Sequence, residues 1–192
     1  MKIAITGGIG AGKSYVCERL RQRGIDVYDC DAAAKRLMRE DESLKNALTK
    51  LVGDDVYLSP AKLNKPLLAS FLLQSDENKQ ALNEIVHPAV AEDFLRSGKD
   101  WLESAIFFDS AFGKRVCIDY VVCVSAPLEV RIHRVMHRDR ISREKALEWI
   151  NRQIPQEQVE QLSDWVVVND GATDIEERIT ALLNTITEKM RK

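Results

Sequence analysis

The stretch Gly7-Gly8-Ile9-Gly10-Ala11-Gly12-Lys13-Ser14 constrains this chain more than any other eight residues. It fits GxxxxGK[ST] at every fixed position. A β-branched run, Ile3 to Thr6, stands before it, and a helical pattern from about Lys13 to Arg23 stands after it. Glycines let successive N–H groups turn inward around an anion. A helix starting near Lys13 adds the positive end of its dipole. The pattern assigns Gly8, Gly10, Ala11, Gly12, Lys13, Ser14 and the backbone of Tyr15 to a nucleoside triphosphate. Lys13 reaches the β- and γ-phosphates, and Ser14 places its hydroxyl on Mg2+. The loop alone does not choose among a GTPase, an ATPase motor and a small-molecule kinase.

Five short apolar runs are spaced along the chain: Ile3 to Thr6, Ile25 to Tyr28, Ala105 to Phe108, Tyr120 to Val124 and Trp165 to Val168. Most are continuous rather than alternating, which suits strands covered on both faces. Helical patterns lie between them, so the expected fold is α/β: a three-layer arrangement with a five-stranded parallel sheet flanked by helices. Gly24 is placed to end the first helix. The interval Ala32 to Gly98 holds no convincing strand and reads as helices after Asp31, around Leu44 to Val52, around Ala61 to Leu73 and from Asp76 to Arg96. Ser59-Pro60 and Ser75-Asp76 look like helix starts, and His87-Pro88 suggests a kink or a helix boundary. Later helices start at Ala126-Pro127, with Leu128, Ile132, Val135 and Met136 inward, at Ser142, and near Asp174. We read one domain: a core of residues 1–31, 99–130 and 155–192, a helical acceptor-binding region at 32–98, and a lid at about 131–154.

Carboxylates choose the chemistry. Asp31 follows the second apolar run, and in a doubly wound sheet ligands gather beyond the carboxyl ends of the strands. There it either orients an acceptor hydroxyl and takes its proton, or caps the helix that begins "AAAKRLM". Asp109 follows Ala105-Ile106-Phe107-Phe108, a hydrophobic run ending in an acid, where the acid holds a magnesium-bound water or caps a loop. No DxxG or NKxD supports a guanine-nucleotide reading, and the size suits a kinase for a small hydroxylated metabolite or a nucleotide better than a motor. Arg131, Arg134 and Arg138 recur at helical spacing, apart from the apolar stripe, as a solvated face or as a lid that clamps phosphates. His133 and His137 are four apart but lack a third ligand, so a metal there is not expected. His87 reads as a core histidine or a substrate contact.

The charges nearly cancel, 28 Lys plus Arg against 30 Asp plus Glu, which argues against a grip on nucleic acid. No run approaches the roughly 20 apolar residues of a membrane span. The four cysteines show no CxxC pairing and read as reduced, mostly buried thiols. With a strand-like "KIAIT" at the very start, no signal peptide is expected, and the cytoplasm is the expected location.

Taken together, these segments resemble the dephospho-CoA kinase family along nearly the whole chain. "TGGIGAGKS" is similar to its opening, "VYDCDAAAKRL" to its acidic segment, "LNK" at Leu63 to Lys65 to a segment that usually reads Leu-Asn-Arg, and "IVHPAV" to a stretch around a His-Pro pair. "RVMHRD", Gln153 and "SDWVVVNDG" extend the likeness. Three positions depart: Tyr15 stands for Thr or Ser, Lys65 for Arg, and "AIFFD" for a Pro-Leu-Leu segment ending in Glu. The resemblance implies a P-loop NTPase fold and ATP-dependent phosphorylation of the ribose 3′-hydroxyl of dephospho-CoA. Asp31 would be the base, with Lys13, Mg2+ on Ser14 and lid arginines, Arg138 first, at the phosphoryl group. Asn169 to Gly171 would lie against adenine, and Lys65, His87 and Asp109 would touch the acceptor. A monomer or weak homo-oligomer is the expectation. A nucleoside monophosphate kinase and a non-catalytic ATP-binding regulator are the alternatives.

Overall fold

The computed structural model describes residues 1–108 and 111–191. In chain order it has β1 (Ile3–Thr6), α1 (Lys13–Gln22), β2 (Val27–Asp29), α2 (Cys30–Glu40), α3 (Glu42–Val52), β3 (Tyr57–Ser59), β4 (Lys62–Leu63), α4 (Lys65–Gln74) and α5 (Asp76–Arg96). There follow β5 (Trp101–Glu103), β6 (Tyr120–Ser125), α6 (Leu128–Asp139), α7 (Arg143–Asn151), α8 (Gln156–Gln161), β7 (Trp165–Val168) and α9 (Ile175–Met190). Two compact units separate. One comprises Met1–Tyr28, Lys99–Asp109 and Cys117–Lys192, and the other comprises Asp29–Gly98 and Ser110–Val116.

The first unit is built on a five-stranded parallel sheet of order β2-β5-β1-β6-β7. Ile3 stands beside Trp101 on one side and Tyr120 on the other, and Val122 beside Trp165. All four residues of β1 are buried, as a central strand covered on both faces requires. Ile3, Ile5, Val122 and Val124 share a core with Val16, Cys17 and Leu20 of α1 and with Ile179, Leu182 and Ile186 of α9. Gly24 ends α1 as expected: at φ 80° it is left-handed, its N–H reaches the Arg21 carbonyl, and the Ile25 N–H reaches that of Leu20. Ile132 and Val135 of α6 pack on Ala146 and Ile150 of α7, while Leu128, expected inward, is exposed.

The third strand is misplaced in the sequence reading. It is Trp101–Glu103, not Ala105 to Phe108, which is turned. Glu103 pairs with Ile5, and the last ladder bond runs from the Ser104 N–H to the Ile5 carbonyl. β1 leaves the sheet at Gly7, so a longer β5 would have no partner on that side. The apolar "IFF" buries Phe107 against Phe108, with ring centroids 5.2 Å apart, instead of extending the sheet. Asp109 lies outside the described residues.

The second unit is helical, but it contains a hairpin of β3 and β4 that the sequence reading lacks. Ser59-Pro60 is followed by that hairpin's second strand rather than by a helix. The helix begins at Lys65, where the Leu67 N–H donates to Asn64 Oδ1 at 3.3 Å and Pro66 sits in the first turn, where its missing N–H does no harm. Ser75 caps α5 as expected. That helix does not end at Pro88: Leu82 and Val86 before it and Val90, Ala91 and Phe94 after it are all buried. α8, between Pro155 and β7, was also not expected.

Candidate active site

The glycine-rich loop joins the end of β1 to the start of α1, with Gly12 capping the helix at φ 93°. A Cβ on Gly12 would lie 2.1 Å from Asn169 Nδ2, and one on Gly10 would lie 2.6 Å from the Arg131 carbonyl oxygen. The glycines therefore serve close packing as well as backbone conformation. Asn169 Nδ2 donates to the Ala11 carbonyl at 2.9 Å. The Arg134 guanidinium donates to the carbonyls of Gly10 and Ala11 at 3.3 and 3.2 Å and to Asn169 Oδ1 at 3.4 Å. The Ile9 N–H donates to Gln153 Oε1 at 2.7 Å. Lys13 Nζ folds back onto the Gly7 carbonyl at 2.8 Å.

Arg131 breaks an expectation. Its place among spaced arginines suggests a solvated face or a phosphate-clamping lid, yet it is buried, and its Nε donates to the Ile9 carbonyl at 3.0 Å. Burial lowers its proton affinity, and Glu157, Cys123 and Glu160 act in the opposite direction. Burial of a charged group is tolerable only with such partners. Arg138 does stay exposed, paired with Asp139 at 2.7 Å. The helix break follows at Arg140, a left-handed residue at φ 54°.

Beside the loop lies a cleft of about 440 Å3 lined by Gly12, Tyr15, Arg134, Asn169, Gly171, Thr173 and Ile175. Its volume and mixed lining are those of a small-molecule site. Asp170 does not face a ligand with free oxygens: it accepts from the Ala172 and Thr173 N–H groups and from Thr173 Oγ1 at 2.7 to 3.0 Å. These bonds hold its carboxyl below the usual carboxylate range.

At the carboxyl end of β2 the two aspartates separate their roles. The Ala32 N–H donates to Asp29 Oδ1 at 2.8 Å, so Asp29 is the cap of α2. The capping alternative for Asp31 falls. Asp31 is exposed and makes no hydrogen bond or ion pair among the described residues. Lys65 is exposed at the first position of α4. His87 is half-buried in α5; burial first, and then Arg115, holds its proton affinity below that of a free imidazole.

Glu103 is the acid that the sequence reading missed. Ending β5 next to β1, it takes the strand-end position that had been given to Asp109, and the signal was present in "WLE". The buried Cys17 thiol is pushed up to about 12 by burial and by this carboxylate. The Ser14 hydroxyl is exposed in the first turn of α1 and makes no hydrogen bond among the described residues. A hydroxyl and a carboxylate are hard oxygen donors, so these residues fit Mg2+. No group of three or more metal-ligating side chains forms among the described residues.

The loop on the central strand of a parallel sheet and the arginine-bearing helix packed on that loop define a P-loop kinase fold. The family model for dephospho-CoA kinase matches residues 1–174. A dephospho-CoA kinase of Bacteroides fragilis is 38% identical over 99% of this chain and 95% of its own length. A crystal structure from Thermus thermophilus superposes with a TM-score of 0.78 at 32% identity, covering 98% of this chain and 97% of that one. A dephospho-CoA kinase from Campylobacter jejuni superposes with a TM-score of 0.65 at 21% identity over 98% and 97%. The chain belongs to the dephospho-CoA kinase family, whose reaction uses ATP to phosphorylate dephospho-CoA in the final step of coenzyme A synthesis.

Proposed function

We propose that this chain carries out the family reaction with Asp31 as the base. The acceptor is then the ribose 3′-hydroxyl, as in the resemblance from which we started. The observation that carries the assignment is the division of labour at the start of α2. Asp29 caps the helix, so the Asp31 carboxylate is left exposed and without a hydrogen bond or ion pair among the described residues. As the 3′-oxygen bonds to the γ-phosphorus, the bond from that phosphorus to the β,γ-bridging oxygen breaks. The hydroxyl proton passes to Asp31, and ADP departs. The transition state is loose, so positioning the hydroxyl matters more than basicity.

Lys13 leaves the loop carbonyls to meet the β- and γ-phosphates, and the loop N–H groups cradle the chain of phosphates. Ser14 and Glu103 would hold Mg2+, which would neutralise charge on the phosphate oxygens. Arg138 exchanges Asp139 for the transferring phosphoryl group when the lid residues, about 131–154, engage. The cleft at Asn169 to Gly171 takes adenine, and the occupied carboxylate of Asp170 supports adenine over guanine. Residues 32–98 receive dephospho-CoA, with Lys65 and His87 among its contacts. The cytoplasm is the location this reading assigns; among the described residues no helix is long and apolar enough to cross a membrane.

The test is ADP release from ATP with dephospho-CoA, AMP, CMP, UMP, gluconate, shikimate or no acceptor. Turnover with dephospho-CoA alone, with the new phosphate on the 3′-oxygen by phosphorus NMR, is the expected result. Turnover with AMP and none with dephospho-CoA overturns the assignment.

A further inference from the structure

Tyr15 is the position at which this chain departs from the Thr or Ser usual after the motif serine, and the backbone reading of the loop gives its side chain no work. The structure gives it a place. As the third residue of α1 it projects outward, 44% exposed, and it lines the 440 Å3 cleft beside Gly12, Thr173 and Ile175. An aromatic ring left that open in a cleft wall offers a stacking surface. It is not free to swing. Arg19, one turn on, donates from Nη2 to Tyr15 Oη at 3.0 Å, and its guanidinium carbon lies 4.9 Å from the ring centroid. Arg19 Nε in turn lies 3.4 Å from Glu176 Oε1, and Glu176 Oε2 receives Arg23 at 2.7 Å. Glu176 sits in the first turn of α9, directly after Ile175, which lines the same cleft. The ring is thus braced from the helix whose first residue, Ile175, also lines the cleft.

The other polar groups of this cleft are committed elsewhere. Asn169 and Arg134 hold loop carbonyls, and the Thr173 hydroxyl donates to Asp170. What remains facing a ligand is the Tyr15 ring, the Ile175 side chain, the Thr173 methyl group and two glycines. That surface suits a nucleoside and not a phosphate chain.

We propose that Tyr15 is a nucleoside-binding residue of this chain, its ring forming the wall against which the base and sugar of ATP lie, with Arg19 and Glu176 as positioning residues. This rests on the nucleotide reading of the loop. ADP and inorganic tripolyphosphate, titrated calorimetrically into the full chain, separate the two ideas, because only ADP carries a nucleoside. Tyr15→Ala weakens ADP about tenfold, the scale of one base–aromatic stack, and leaves tripolyphosphate within twofold. Tyr15→Phe keeps most of the ADP affinity. Arg19→Met weakens ADP about threefold in the wild-type background and adds nothing to Tyr15→Ala, because it acts through the ring. In kinetics the loss falls on the KM for ATP, while that for dephospho-CoA stays put. Unchanged ADP affinity in Tyr15→Ala overturns the proposal, as does an equal loss of ADP and tripolyphosphate, which would make Tyr15 a support of the loop. Wild-type protein that binds neither probe overturns the nucleotide reading itself.

Discussion

Around the glycine-rich loop, Arg131, Arg134, Gln153 and Asn169 all direct polar side-chain groups at loop backbone. In the helical unit the corresponding candidates are left bare. Asp31 and Lys65 are exposed without ion pairs among the described residues, and His87 has the like-charged Arg115 as its electrostatic neighbour. The contrast fits what we propose each region binds. A triphosphate presents many charges in a fixed array, so a cradle preorganised by side chain–backbone bonds loses little on binding. An acceptor hydroxyl needs one carboxylate that no structural bond has claimed. On the proposed reading Asp29 leaves Asp31 to that task by taking over the helix cap.

The largest effect tests that division directly. Asp31→Asn should lower kcat about a hundred- to ten-thousand-fold, the range of general base catalysis, with ADP affinity by calorimetry within twofold of wild type. Asp29→Ala should do the reverse. Losing the cap removes about 1 kcal/mol of stability, which is a Tm drop of about 2–4 °C, with Asp29→Asn close to wild type. If Asp29→Asn abolished turnover while Asp31→Asn spared it, the two roles would be exchanged.

The next effect probes the preorganised side. Asn169→Ala leaves the Ala11 carbonyl with Arg134 as its side-chain donor and removes one Arg134 acceptor, about 0.5–1.5 kcal/mol by urea denaturation. Gly12→Ala forces a left-handed residue, about 1–2 kcal/mol, and drives its Cβ into the Asn169 amide. The double variant relieves that collision, so its loss of stability should be smaller than the sum of the two single losses. Strict additivity would mean that Asn169 does not press on the loop.

Much of this was legible in the residues, because local chemistry dictates it. GxxxxGK[ST] needs no tertiary context, and Gly24 and Ser75 end and start helices through their own backbone and side chain. Misreadings arose where a neighbouring element decided. Four apolar residues before Asp109 resemble a strand, but β5 can extend only as far as β1 accompanies it, which moves the strand to Trp101–Glu103 and the strand-end acid to Glu103. Helical spacing put Arg131 on a polar face, and only the packing of α6 against the loop buries it. Likewise Asp31 reads equally as base or as helix cap until one N–H is seen to choose Asp29 as the cap. Tyr15 looked inert because the motif uses its backbone, and its side chain gained meaning from the cleft and Arg19.

The smallest effect concerns His87, where the helical unit keeps a partly buried imidazole near Arg115. Burial and that guanidinium both disfavour the imidazolium in the folded protein, so the unfolded chain binds the proton more readily. As pH falls through the free-imidazole value of about 6.5, the unfolded state gains protons that the folded state refuses, and stability drops with it. Above that value this contribution is absent. Solvent reaches part of the ring, which keeps the effect well under the ~1.4 kcal/mol that one pH unit of displacement would give. Urea unfolding at pH 7.5 and 5.5 should therefore show His87→Gln losing a few tenths of a kcal/mol less than wild type over that interval. Removing the repulsion alone, by Arg115→Gln, should recover a smaller part of the same difference, because burial is the larger cause. An equal loss in wild type and His87→Gln would show that burial and Arg115 do not hold the His87 imidazole away from its charged form.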